Sequence, residues 1–169
     1  QEMYNFHYGQ MEAYIFSTPY GSSWFLGMNY SVSQLGDIVS VLVLQNMDTG
    51  CDEYYVYNFI ASNGQKLSDS SIYSAFGLTE AEGRELIYAA ISHYWDNSNW
   101  INTPAHDFAL QQKERSLQPD NIAKWRPYIN QNGELCFTGP IYAVAGGDHY
   151  EHLLDRSGNA QSAPRCYIH

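Results

Sequence analysis

The chain has 169 residues, 44% of them hydrophobic and 15% charged, with a formal net charge of −10. That length supports one domain with a core of its own, and that composition excludes intrinsic disorder, which goes with abundant charge and few aromatics. With 18 acidic side chains against 8 basic ones, and no basic cluster, nucleic-acid binding is excluded, because it needs Lys and Arg to displace phosphate counterions.

An anionic membrane surface would repel such a chain, whereas a cationic protein would be steered toward it. No stretch approaches the ~20 apolar residues of a membrane span, so no membrane insertion is expected. The opening "QEMYNFHYGQ" has neither an initiator Met nor an apolar signal core. It is therefore expected to begin a mature form after signal cleavage, or a trimmed piece. Low Lys content, many Tyr, Asn and Ser, and no cofactor fingerprint lean toward an extracytoplasmic location.

Taken in chain order, the first third reads as strands. "MEAYIF" (Met11–Phe16) and "WFLGMNYSVS" (Trp24–Ser33) break apolar residues with small polar ones. "GDIVSVLVLQN" is β-branched and nearly continuous, which fits a central strand. "MDTG" (Met47–Gly50) is a turn. "DEYYVYNFIAS" follows as a strand, with Tyr55, Tyr57 and Phe59 on one face and Tyr54, Val56 and Asn58 on the other. Asn63–Gly64 then supplies a tight turn.

The middle is helical. In "LTEAEGRELIYAAISHYW", Thr79 is the N-cap and Glu82 completes a capping box. Leu86, Ile87, Ala90, Ile91, Tyr94 and Trp95 fall at helical spacing and form one apolar stripe, so a long helix is predicted over about 79–95. Gly83 weakens its first turn. "WDNSNWINTP" is a polar loop. Thr103 and Pro104 open a second, more polar helix over about 104–117.

The last third returns to strand. "WRPYINQNGELCFTGPIYA" is a hairpin about Asn132–Gly133. Pro140 lacks an N–H and marks an edge or a bulge. Strands, helices and a closing hairpin together predict a single α+β domain over 1–169, an antiparallel sheet covered on one face by the long helix.

In their order, "GDIVSVLVLQ", "YYVYNFIASNGQKLSDSSIY", "GLTEAEGRELIYAAI" and "WRPYINQNGELCFTGPIYAVAGG" resemble the RsiV-like extracytoplasmic domain. That family occurs as sensor domains of anti-sigma factors and as accessory modules of polysaccharide deacetylases. The resemblance runs from roughly Leu35 to Gly147. It rests on the strand pair, the Lys–Leu turn, the Thr-x-x-Glu helix start and the final hairpin with its Pro, Tyr and small residues. Where the family carries a Gly/His-rich bend, this chain has "MDTGCDE". The resemblance implies an α+β sensor or binding domain outside the membrane; it does not imply an enzyme, because this domain is not the catalytic part of such proteins.

Candidate chemistry is sparse. Cys51, Cys136 and Cys166 lie far apart with no Cys/His ligand spacing, so a structural zinc site is not expected. A disulfide plus a free thiol remains open, and Cys136 in "ELCFTG" reads as a buried small hydrophobe. In "AGGDHYEHLL", a helix would put His149 and His152 on one face, where with a third ligand they form a metal site. A strand would turn them to opposite faces. The simplest reading is a helix start, with Asp148 as cap and Glu151 completing a capping box. His93 lies off the apolar stripe, and His106 and Asp107 belong to a helix first turn. No GxSxG elbow or phosphate-cradling glycine loop occurs. Paired carboxylates for glycosidic cleavage need not be adjacent in sequence, so none is named.

The best binding candidate is the loop that holds Trp95, Asp96, Asn97, Asn99 and Trp100. It sets two indole planes beside hydrogen-bonding groups, a mixture suited to a sugar or a protein hot spot. The competing reading buries both indoles where the helix ends. The expectation is a cofactor-free, non-enzymatic extracytoplasmic domain that binds a cationic protein or a cell-wall glycan. The alternatives are a hydrolase acting on cell-wall or carbohydrate material, and a metal-binding protein using His149 and His152.

Overall fold

The computed structural model describes residues 1, 3, 5–9, 27–46 and 52–163. The strand read at Met11–Phe16, the head of the strand read from Trp24, the turn at Met47–Gly50, Cys51 and Cys166 lie outside them.

The fold is α+β, and its strands divide into two antiparallel three-stranded sheets. The N-terminal sheet has the order β1 (Gly27–Leu35), β2 (Ile38–Asn46), β3 (Asp52–Ile60). The C-terminal sheet has the order β4 (Arg126–Ile129), β5 (Leu135–Tyr142), β6 (His149–Asp155). Between them run α1 (Asp69–Ala75), α2 (Glu80–Asp96), a 3-10 turn (Asn99–Asn102), α3 (His106–Ser116) and the short α4 (Pro119–Ile122).

Local chemistry sets most boundaries. Thr79 opens α2 with the expected capping box: its Oγ1 accepts from Glu82 N–H at 3.2 Å, and Glu82 Oε2 accepts from Thr79 N–H at 2.7 Å. The predicted second helix starts later than Thr103–Pro104. Thr103 Oγ1 donates instead to Trp100 O at 2.9 Å, closing the 3-10 turn, and α3 begins at His106 with no side-chain cap. At the β4–β5 turn, Gly133 takes φ +77°, a conformation that a side chain resists.

Three layers stack. The strands of the C-terminal sheet alternate, so residues two apart face the same way. Leu135, Phe137, Ile141 and Leu154 join Ile72, Ile87, Ile91 and Trp95 of the helices in the main core. Cys136 and Leu153, on the other face, pack with Leu42, Tyr128, Tyr54 and Val56 against the N-terminal sheet. Cys136 is thus a buried free thiol, as its alternation with apolar neighbours implies.

The seam between the sheets is also polar. The outer edge of β4 carries backbone groups that β5 does not pair. Ile129 N–H donates to Ser40 Oγ at 3.0 Å, Ile129 O accepts from Ser33 Oγ, and Pro127 O accepts from Asn58 Nδ2 at 3.1 Å. Ser40 Oγ donates in turn to Asn58 Oδ1 at 2.5 Å. Three small polar side chains thereby satisfy an edge strand without another strand beside it.

Pro140 shows the same economy. It lies in the middle strand, but β4 ends opposite Thr138, so on that side β5 is locally an edge. Pro140 O accepts from Asn121 Nδ2 at 2.9 Å, and Tyr142 N–H donates to Ser116 Oγ at 3.0 Å. Helix side chains thus stand in for the missing strand. Gly83, a weak helix residue by propensity, has a packing reason: a Cβ there would lie 2.4 Å from the buried Tyr73 ring.

Candidate functional site

The loop after α2 separates its two indoles. Trp95 completes the apolar stripe and is 2% exposed, whereas Trp100 is 44% exposed. Local hydrogen bonds fix Trp100 on its 3-10 turn. Its N–H donates to Ser98 Oγ at 3.3 Å, and its carbonyl accepts from Thr103 Oγ1. Asn97 caps α2 by donating from Nδ2 to His93 O at 2.8 Å. Asp96 turns away to pair with Lys113 of α3, whose hydrogen bond holds the carboxyl below its usual range. Of the five residues singled out from the sequence, Asn97, Asn99 and Trp100 therefore share one concave surface. Trp95 reaches only its inner side, and Asp96 is engaged elsewhere.

That surface has two hollows. The outer groove, about 570 Å³, runs between Asn97, Asn99 and Trp100 on one wall and Gly158–Asn159–Ala160 on the other. Asp155 shapes the second wall. Its carboxylate accepts from Ser157 N–H at 2.8 Å, Asn159 N–H at 2.9 Å and Asn159 Nδ2 at 3.0 Å. Gly158, at φ +84°, lies so close to α2 that a Cβ would meet Ala90 O at 2.4 Å. The inner hollow, about 260 Å³, also borders Trp100 and reaches Trp95, Tyr142, Ala143, Val144, Tyr150 and His152. Tyr94, Ser98 and Trp100 belong to both walls.

"DHYEHLL" is strand, not helix, so the expected capping box at Asp148 does not form. Asp148 accepts from Arg115 at 3.1 Å, which lowers its carboxyl pKa. The β6 alternation turns His149 and Glu151 toward the N-terminal sheet and His152 toward α2, where its ring lies 4.8 Å from that of Tyr94. The two imidazoles therefore do not converge on one ion. Among the described residues, no group of three or more His, Cys, Asp or Glu is placed to hold a metal. Burial lowers the pKa of His152 from 6.5 to about 4, which keeps it neutral.

A third concavity, about 430 Å³, opens between β3 and β6 and gathers Asp52, Glu53, Asp148, His149 and Glu151. Burial raises the Glu151 carboxyl pKa to about 7, opposed by His149 and assisted by Glu53. Glu53 is held by Tyr55, whose hydroxyl donates to Oε2 at 2.6 Å.

Sequence reasoning missed Tyr94, His152 and Asn159 as parts of the Trp100 surface. Tyr94 reads as core by spacing. Only the "RSGNA" turn chemistry marks Asn159, and nothing local brings it to α2. No family model, curated protein or solved structure matches the chain. No helix among the described residues is long and apolar enough to cross a membrane.

Proposed function

We propose that this chain is a non-enzymatic, extracytoplasmic recognition domain that holds a neutral glycan across Trp100. The observation that carries this reading is a half-exposed indole locked beside two hollows and flanked by the amides of Asn97, Asn99 and Asn159. An aromatic face packs against the C–H face of a sugar ring, and the amides satisfy its hydroxyls. Among the described residues, no carboxylate and no Lys or Arg lines the outer groove. That favours an uncharged ligand there over the cationic protein that the net charge would steer in. The resemblance of the motif order to extracytoplasmic sensor and accessory domains supports the location and the non-enzymatic role. Calorimetric titration with β-1,4-linked sugar oligomers tests the reading. Saturable binding to the wild type, lost in Trp100→Ala at unchanged melting temperature, is expected. Equal binding by the variant would remove Trp100 from the site and the reading with it.

The cleft at Glu151 favours a second reading, a hydrolase acting on carbohydrate. A carboxyl raised to about 7 in a cleft that holds further acidic side chains is the pattern of a general acid. Hydrolysis of an oligosaccharide reporter that disappears in Glu151→Gln, without loss of glycan binding, would establish it. No turnover above the buffer rate leaves the recognition domain.

A further inference from the structure

We infer that His93 is a ligand-binding residue of the outer groove: its Nδ1–H and the Oδ1 of Asn97 form a fixed donor–acceptor pair that takes the free hydroxyls of the sugar. The inference rests on the glycan reading above and deepens it, by giving the ligand's polar groups their hydrogen-bond roles.

The chain of hydrogen bonds starts at the backbone. Asn97 Nδ2 lies 2.8 Å from His93 O, which can only accept, so that end of the carboxamide is the nitrogen. The same Nδ2 lies 3.1 Å from His93 Nε2. An amide N–H can only donate, so Nε2 accepts, and the proton of the neutral imidazole sits on Nδ1. Both hydrogens of the Asn97 amide are thereby engaged within the last turn of α2. What these two side chains leave for a ligand is Asn97 Oδ1, an acceptor, and His93 Nδ1–H, a donor. Neither atom makes a hydrogen bond among the described residues.

Both residues are exposed and line the outer groove with Trp100. His93 stands where the two walls meet, since a Cβ on Gly158 would lie 3.0 Å from the His93 Cβ. The pair is preorganised, because the two hydrogen bonds hold the Asn97 amide before a ligand arrives. It also discriminates by chemistry. An ammonium group brings donors alone and sets them against Nδ1–H. An ether brings acceptors alone and leaves Oδ1 unmet. A free hydroxyl both donates and accepts, so a sugar edge bearing hydroxyls satisfies both atoms while its face covers the indole.

Two measurements on the whole chain test this. The first reads the tautomer from two-bond 15N–1H couplings of the imidazoles at about pH 8, where a histidine of ordinary pKa is neutral. The His93 signals are identified by their loss in His93→Gln, and the proton is expected on Nδ1. The second measures the affinity for a β-1,4-linked glucose tetramer. His93→Gln carries its amide toward the Nε2 position and removes the Nδ1–H donor. It should weaken binding about 10-fold at unchanged melting temperature. His93→Asn keeps an amide near the Nδ1 position and should stay within about 3-fold of wild type. An Nε2–H tautomer, or equal affinity of wild type and His93→Gln, would overturn the role of His93 and leave the glycan reading intact. Equal loss in the two variants would assign the effect to the ring and likewise overturn the pair. A wild type that binds no tetramer would overturn the glycan reading itself, and the role of His93 with it.

Discussion

The two faces of the C-terminal sheet are built from different chemistry. The face toward the helices is closed by large apolar side chains, Phe137, Ile91, Ile87 and Leu154, all about 0–1% exposed. The face toward the N-terminal sheet combines a small cluster around Leu42 and Cys136 with a row of Ser and Asn hydrogen bonds to the edge of β4. The first contact derives its strength from excluded water and lacks direction. The second is directional, and it fixes the register between the sheets because each hydrogen bond requires its partner at a set distance and angle. The two hollows beside Trp100 lie at the margin of the helix-facing side, where the apolar packing runs out.

Substitutions probe this contrast, and the largest effect belongs to the helix-facing core. Phe137→Ala should cost about 3–5 kcal/mol in chemical denaturation, through lost transfer energy and a cavity. A loss below ~1 kcal/mol would mean that the core there is not close-packed. At the seam, Ser40→Ala strands the Ile129 N–H and removes the donor to Asn58. It should cost about 1–3 kcal/mol, although only one oxygen is deleted. A double-mutant cycle with Asn58→Ala should show coupling above ~0.5 kcal/mol, and strict additivity would show that the row is not a network.

Gly83→Ala tests packing against propensity. Helix propensity favours Ala by about 1 kcal/mol, but the new methyl would overlap the buried Tyr73 ring. Net destabilisation is expected, and a rise in melting temperature would show that Tyr73 yields freely.

Adjacent residues of β6 give opposite pH dependences because burial disfavours the charged form of each, the deprotonated one for Glu151 and the protonated one for His152. The Glu151 pKa is raised from 4.5 to about 7 on folding, so its neutral form is the one the fold accepts. The stability it contributes is present below pH 4.5 and is lost as pH rises through about 7. Glu151→Gln should therefore raise the melting temperature at pH 8 and change it little at pH 4. His152 is depressed from 6.5 to about 4. Its contribution is present above pH 6.5 and is lost as pH falls toward 4, a slope that His152→Phe should flatten. Melting curves across pH 4–8 read both. The smallest stability effect is expected at the surface of the groove. Trp100→Ala should stay within ~0.5 kcal/mol of wild type while abolishing glycan binding.

Much of the site's framework was legible and its completion was not. The Asn97–Trp100 loop stands out by composition alone. The apolar stripe of α2 turns Trp95 inward, but nothing within the polar loop tells which way Trp100 turns. Ile87, Ile91 and the β5 side chains receive Trp95. Glu151 and His152 looked like a helix start because Gly–Asp–x–x–Glu satisfies a cap locally. Pairing with β5, from Tyr142↔His149 to Cys136↔Asp155, outweighs that preference.

The sequence by itself determined the features whose partners lie within about four residues. These are the Thr79–Glu82 cap, the Asn132–Gly133 turn, the alternation of β3 and the apolar stripe of α2, all set by backbone geometry and short-range sterics. The tertiary structure alone decided that the strands form two sheets, that serines seal an edge, that a glycine in α2 makes room for Tyr73, and that the Asp155 loop forms the second wall opposite Trp100. Each of these depends on burial between segments tens of residues apart, where excluded water and the need to satisfy buried polar groups override local preference.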